Sequence, residues 1–257
     1  MRILMIRHGD PDYSIDSLTE TGRKEAMALA ETADRLHVGT CYVSPLGRAA
    51  LTAKYTLDRL HLTGETLDWL QEFPARVDLN ASAGLSAAYG NPETENGHFL
   101  PEIPWDLLPS YYTAHPEYAD AAAWRTSEIA VHSDTVQQYD AVIAAFDRLL
   151  ASYGYVREEQ HYHVRQETAE TITFFCHFGI SCVLLSHLFN VSPFVLWHSL
   201  AMAPSSVTEV VSEERVRGTA SFRALKIGSV FHLERKGMEP SFAARFCEIY
   251  SDKSKRH

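Results

Sequence analysis

The first apolar positions form one unbroken block, Ile3-Leu4-Met5-Ile6, which stops at Arg7-His8-Gly9. A short apolar run bounded by polar residues predicts a strand buried on both faces, as in a parallel sheet. The period then changes. Ala26, Leu29, Ala30, Ala33 and Leu36 recur at helical spacing, behind Thr19 as a candidate N-cap and Glu20 at the helix's positive end. Thr40 to Val43 predicts a second strand, closed by Ser44-Pro45 with the proline in a helical first turn, and Ala49, Ala50, Ala53 and Leu57 mark the next helix. Thr66 to Leu70 predicts a third strand. This alternation implies an α/β domain on a mainly parallel sheet, a three-layer α/β/α arrangement.

From Pro74 to about Ser133 the pattern breaks down. This stretch holds Pro74, Pro92, Pro101, Pro104, Pro109 and Pro116 together with Trp105, Tyr111, Tyr112, Tyr118 and Trp124. It is too aromatic for a disordered linker, so it reads as an inserted, partly helical cap over the sheet's edge. Val136, Tyr139, Val142, Ile143, Phe146, Leu149 and Leu150 then form one stripe of a long helix between about Asp134 and Tyr153. A β-like run from Thr171 to Cys176 stops at His177-Phe178-Gly179, and a helix is expected from about Ile180 to Phe189. Val207 to Val211 and Ser221 to Ile227 predict further strands. The expectation is one domain over residues 1–257, with the cap inserted at about 74–133.

Charge and composition narrow the partners. A formal net charge of −10 disfavours nucleic acid, while a few converging arginines can still bind a small anion at contact range. No apolar run approaches the roughly 18 residues that span a bilayer, so no membrane association is expected. Cys41, Cys176, Cys182 and Cys247 show no C-x-x-C spacing and read as thiols in a reducing compartment, which makes the cytoplasm the expected location.

Three polar groups share one address, each just past a predicted strand: Arg7-His8-Gly9, Arg48 on the opening turn of the second helix, and His177. Ligands of open α/β sheets bind outside the carboxyl ends of strands, so these residues are expected to converge. Their chemistry suits phosphoryl transfer. Arginine pairs two oxygens of a charged group at once, a neutral imidazole can attack phosphorus, and a carboxylic acid must protonate the leaving alkoxide. Gly9 permits close backbone approach beside the nucleophile. His161-Tyr162-His163 offers two alternating imidazoles with no third ligand, and is read as surface.

With these motifs in order, the chain resembles the histidine phosphatase (phosphoglycerate mutase-like) superfamily. The resemblance rests on Arg7-His8-Gly9, Leu18-Thr19-Glu20-Thr21-Gly22, Ser44-Pro45-Leu46-Gly47-Arg48-Ala49, Leu70-Gln71-Glu72 and His177-Phe178-Gly179. It implies a phosphomonoesterase in which His8 becomes phosphorylated and Arg7, Arg48 and His177 cradle the phosphoryl group. Glu72 would be the acid and then the base, with Asp68 or Glu65 as substitutes. The Phe178 amide would add a donor. Ser14 stands where the mutase branch often has Asn and would donate one hydrogen bond. No cofactor or metal is implied; the expected partner is a small phosphorylated substrate. The Gly-Leu-Asn-Lys-type segment of true phosphoglycerate mutases is missing, which argues against a mutase. A silent phosphate-ligand binder on the same fold is the third reading. The inserted segment is expected to select the substrate by its leaving group, since the core contacts only the phosphoryl group common to every ester; the alternative is a structural or dimer-forming element, which would make a homodimer.

Overall fold

The computed structural model describes residues 1–90, 92–241 and 251; Cys247 lies outside them. The chain divides into two compact units, one of Met1–Glu72, Leu150–Ser181 and Ala201–His257, the other of Phe73–Leu149 and Cys182–Leu200.

The first unit is built on an eight-stranded sheet. In chain order its strands are β1 (Arg2–Arg7), β2 (Thr40–Val43), β3 (Gly64–Thr66), β4 (Tyr155–Glu158), β5 (His161–Val164), β6 (Thr171–Cys176), β7 (Val207–Val216) and β8 (Thr219–Ser229). Their spatial order is β3-β2-β6-β1-β7-β8-β5-β4. The pairs β3·β2, β2·β6 and β6·β1 are parallel, and the sheet continues antiparallel from β7 to β4. Ile3, Leu4, Met5 and Ile6 alternate between the two faces of β1 and are all at most 2% exposed, so both faces are covered. Helices α1 (Glu20–Leu36) and α2 (Gly47–Leu60) pack where Leu4, Ile6, Leu29, Leu36, Val43, Ala53, Phe175 and Val207 form one apolar cluster. Thr19 does cap α1, its Oγ1 accepting the Gly22 amide at 3.0 Å.

Register decides where the chemistry lies. Arg7 is level with Cys176 and Phe175 with Val43, so β1, β6 and β2 end along one edge. The His8 amide donates to the Cys176 carbonyl at 3.0 Å and the Ser44 amide to that of Phe175 at 2.9 Å, which carries the ladder one step past each strand.

Several boundaries differ from the expectation. The third strand is Gly64–Thr66, not Thr66 to Leu70; its residues are exposed, and the chain turns into a 3-10 segment at Asp68–Leu70 that buries Leu70 and sets Trp69 edge-on to Phe174. Pro45 stays outside α2, whose N-cap is Leu46, because Ser44 is still held by the sheet. Strands β7 and β8 run on past the apolar positions that announced them. His161 is half-buried beside Glu158 at 3.5 Å, and His163 is exposed.

The second unit holds short helices at Pro109–Ala114 and Glu128–Val131 and most of the long helix Thr135–Ser152. Its aromatics play unequal parts. Trp124 and Tyr118, at most 1% exposed, pack on Tyr139 at 5.1 Å and Phe194 at 4.8 Å respectively and form its core. Tyr111 and Tyr112 are half-buried. The Tyr111 hydroxyl donates to Glu128 at 2.9 Å, and the Tyr112 ring stacks on His198 with centroids 4.6 Å apart.

Candidate active site

His8 leaves β1 almost fully buried. Its Nδ1 lies 2.7 Å from the Gly9 carbonyl, an acceptor only, so Nδ1 carries the proton and Nε2 keeps its lone pair. Burial first, and the Arg7 guanidinium second, push the imidazole's pKa down to about 3. His8 is therefore neutral at physiological pH, as a nucleophile must be.

His177 is fully buried, with its ring centroid 5.0 Å from that of His8. Its Nε2 lies 2.7 Å from Ser44 Oγ, which also accepts the Leu46 amide at 3.2 Å. Burial, then His8, Arg48 and Arg7, hold its pKa well below the ordinary histidine value. Its Nδ1 is buried with no hydrogen-bond partner among the described residues, as is Arg48 Nε. Buried polar nitrogens of this kind are costly unless a hydrogen-bond partner meets them.

Arg7 donates through Nη1 to the Met202 carbonyl, and its guanidinium lies 5.8 Å from the centre of the Phe178 ring. Arg48, on the first turn of α2, is 9% exposed and pairs through Nη1 with Asp16 Oδ1 at 2.6 Å. Thr52 ties these parts together: its Oγ1 donates to the Arg48 carbonyl at 2.8 Å and accepts the Gly9 amide at 3.0 Å. Helix α3 (Phe178–Phe189) begins directly after His177, so its first amides have no intrahelical acceptor. Glu72 takes one of them, Oε1 accepting the Ile180 amide at 3.0 Å. The Glu72 carboxylate is thereby held at the helix start that also carries His177 and Phe178.

The structure therefore gathers His8 and His177 in ring contact, ties Gly9 to the Arg48 helix through Thr52, brings Phe178 against Arg7, and fastens Glu72 to the same helix start as His177. Asp68 and Glu65, the substitutes for Glu72, are exposed. Ser14 is exposed too, and both its amide and its hydroxyl go to Asp12 Oδ1, at 3.1 and 2.6 Å. Three participants were not singled out from the sequence. In the sequence Ser44 stands only as the first residue of the Ser-Pro-Leu motif, and Thr52 lies just beyond that motif. Asp16 carried no signal beyond being an acid ahead of a helix start.

The model of the histidine phosphatase superfamily (branch 1) matches residues 3–78. Those residues carry β1, Arg7-His8-Gly9, both helices over the sheet and Glu72. The fold is that of the histidine phosphatases. Similar solved structures agree with this along most of the chain. A mycobacterial glucosyl-3-phosphoglycerate phosphatase, complexed with VO3, is 18% identical with a TM-score of 0.52 and covers 87% of this chain and 96% of its own. An Entamoeba histolytica phosphoserine phosphatase, in complex with 3-phosphoglyceric acid, is 14% identical with a TM-score of 0.54 and covers 90% and 98%. No curated protein matches the sequence significantly. The resemblance drawn from the ordered motifs is thus borne out, including the histidine phosphatase fold it implied.

Proposed function

We propose that this protein is a phosphomonoesterase that works through a phosphohistidine on His8. The observation that carries the proposal is the pair of buried, neutral imidazoles, with the Nε2 lone pair of His8 left available by the Gly9 carbonyl. His8 Nε2 attacks phosphorus as the bond to the leaving oxygen breaks, and Glu72 delivers a proton to that oxygen. Arg7, Arg48 and His177 face the charge spread over the phosphoryl oxygens. Water, deprotonated by Glu72, then attacks phosphorus, releases inorganic phosphate and returns His8 to its neutral form. The arginines supply positive charge where other phosphatases use a metal ion, so the reaction is assigned as metal-independent.

The substrate class is a small phosphorylated metabolite of the cytoplasm, the kind of ester that the similar phosphatases are named for. Turnover of nitrophenyl phosphate in EDTA tests the reading. Activity is expected to persist with chelator and to vanish in His8→Ala. Loss on chelation with recovery on adding a divalent ion would count against it, as would an active His8→Ala protein.

A further inference from the structure

Asp16 belongs to none of the motifs, yet it meets Arg48 from the loop between β1 and α1. Its carboxylate is shared between two donors on α2: Oδ1 accepts Arg48 Nη1 at 2.6 Å and Oδ2 accepts the Gly47 amide at 2.6 Å. Burial pushes this carboxyl up, and the Gly47 amide and Arg48 outweigh it, so it is held below the ordinary aspartate value.

The loop is held in an unusual shape. Asp16 sits at φ 45°, a left-handed conformation that needs surrounding contacts to persist at a non-glycine residue. Gly47 supplies the room, since a Cβ there would lie 2.2 Å from the Asp16 carbonyl oxygen. Tyr13, on the same loop, places its ring 5.3 Å from the Arg48 guanidinium. One loop thus touches this arginine at one end and over its face.

A carboxylate on Nη1 fixes the rotation of a guanidinium and leaves its Nε edge to bind a second oxyanion in bidentate fashion. That edge is the one whose Nε is buried without a partner among the described residues. We propose that Asp16 is the positioning residue for Arg48, locking its Nε edge toward the phosphoryl oxygens. Asp16 does this work in the loop where Ser14 is turned to Asp12. The inference rests on the phosphatase reading, because it assigns Asp16 no contact with substrate.

A double-mutant cycle tests it with Asp16→Ala, Arg48→Ala and the combined variant, read by nitrophenyl phosphate turnover and by the Kd for orthovanadate. Asp16→Ala is expected to lower kcat/KM by about 10- to 100-fold and to weaken vanadate, since small misplacements of a phosphate clamp are costly. In the Arg48→Ala background the same change should cost no more than about two-fold, because the partner it acts on is gone. Asp16→Asn, which keeps an acceptor for one donor, should fall between wild type and Asp16→Ala. It replaces Asp16→Ala in the cycle if that variant does not fold. Equal losses in both backgrounds, or no loss in the single variant, overturn the inference while leaving the phosphatase reading intact. A wild-type protein that neither turns over the ester nor binds vanadate overturns both.

Discussion

Gly9 makes the closest demand on the backbone of the site. A Cβ at this position would stand 2.6 Å from the Gly22 carbonyl oxygen, whereas ordinary contact begins near 3.4 Å. The neighbour is backbone on the first turn of α1, so no side chain can rotate away, and the two segments must part by about 0.8 Å. Two bonds are lost or lengthened in the process: the Gly9 amide to Thr52, and the Gly9 carbonyl that holds the proton of His8 on Nδ1. Gly9→Ala is therefore expected to cost about 1–3 kcal/mol of stability, the usual range for overpacking a tight site. Its effect on chemistry should be larger than stability alone implies, because a misplacement approaching 1 Å at a reacting group lowers the rate by about 10²-fold. Urea unfolding gives the first quantity, and rapid-quench measurement of phosphoenzyme formation on the folded variant gives the second. A Gly9→Ala protein that is as stable as wild type and forms phosphoenzyme within about three-fold of its rate would refute the role given to this carbonyl.

Glu72→Gln should slow hydrolysis of alkyl phosphates by about 10²–10⁴-fold and nitrophenyl phosphate much less, since the latter's leaving group needs no proton; equal losses for both substrates would move the acid elsewhere. Glu25, fully buried and accepting the Asp10 and Ser241 amides, has its carboxyl pushed up to about 7, mainly by burial. The native state then holds a proton that the unfolded chain releases near pH 4.5, so the stability of wild type relative to Glu25→Gln should fall by about 3 kcal/mol as pH rises from 4.5 to 7 and then level off; urea titrations that give a flat difference would contradict this. In the second unit, Tyr111→Phe with Tyr112→Ala is expected to blunt discrimination among phosphometabolites while nitrophenyl phosphate turnover is retained, and an unchanged preference profile would remove these residues from substrate selection. Trp124 must stay in such a test, because its loss would hollow the unit's core at a cost of about 3–5 kcal/mol.

What could be read from the sequence followed from periodicity. His8, Arg48 and His177 each come directly after an apolar strand or on the next helix's opening turn, and parallel strands that end in register must bring such positions together. Asp16 was not legible because a loop residue's partner is set by the loop's path, which no repeat in the sequence encodes. Ser14 shows the converse: its position in the motif suggested the site, but the turn gave its hydroxyl to the nearer Asp12. Strands β7 and β8 read short because their outer halves, with Glu213, Glu214 and Arg215 on β7, are solvated and lose the apolar alternation. The strand expected at Thr66 to Leu70 failed on packing, since Leu70 gains burial only by leaving the extended path. In the inserted segment, composition marked aromatic residues without separating Trp124, which fills the core, from Tyr111 and Tyr112, which are half-exposed.

A quench experiment reads directly whether phosphorus becomes bonded to a nitrogen of His8. Wild-type protein mixed with a radiolabelled phosphate ester, stopped in base and digested, should yield one labelled peptide spanning His8. The label should be stable in alkali and lost in mild acid, as a phosphoramidate is, and absent from His8→Ala. Phosphate that is released by an active enzyme without ever labelling His8, or a label that survives acid, would contradict the account.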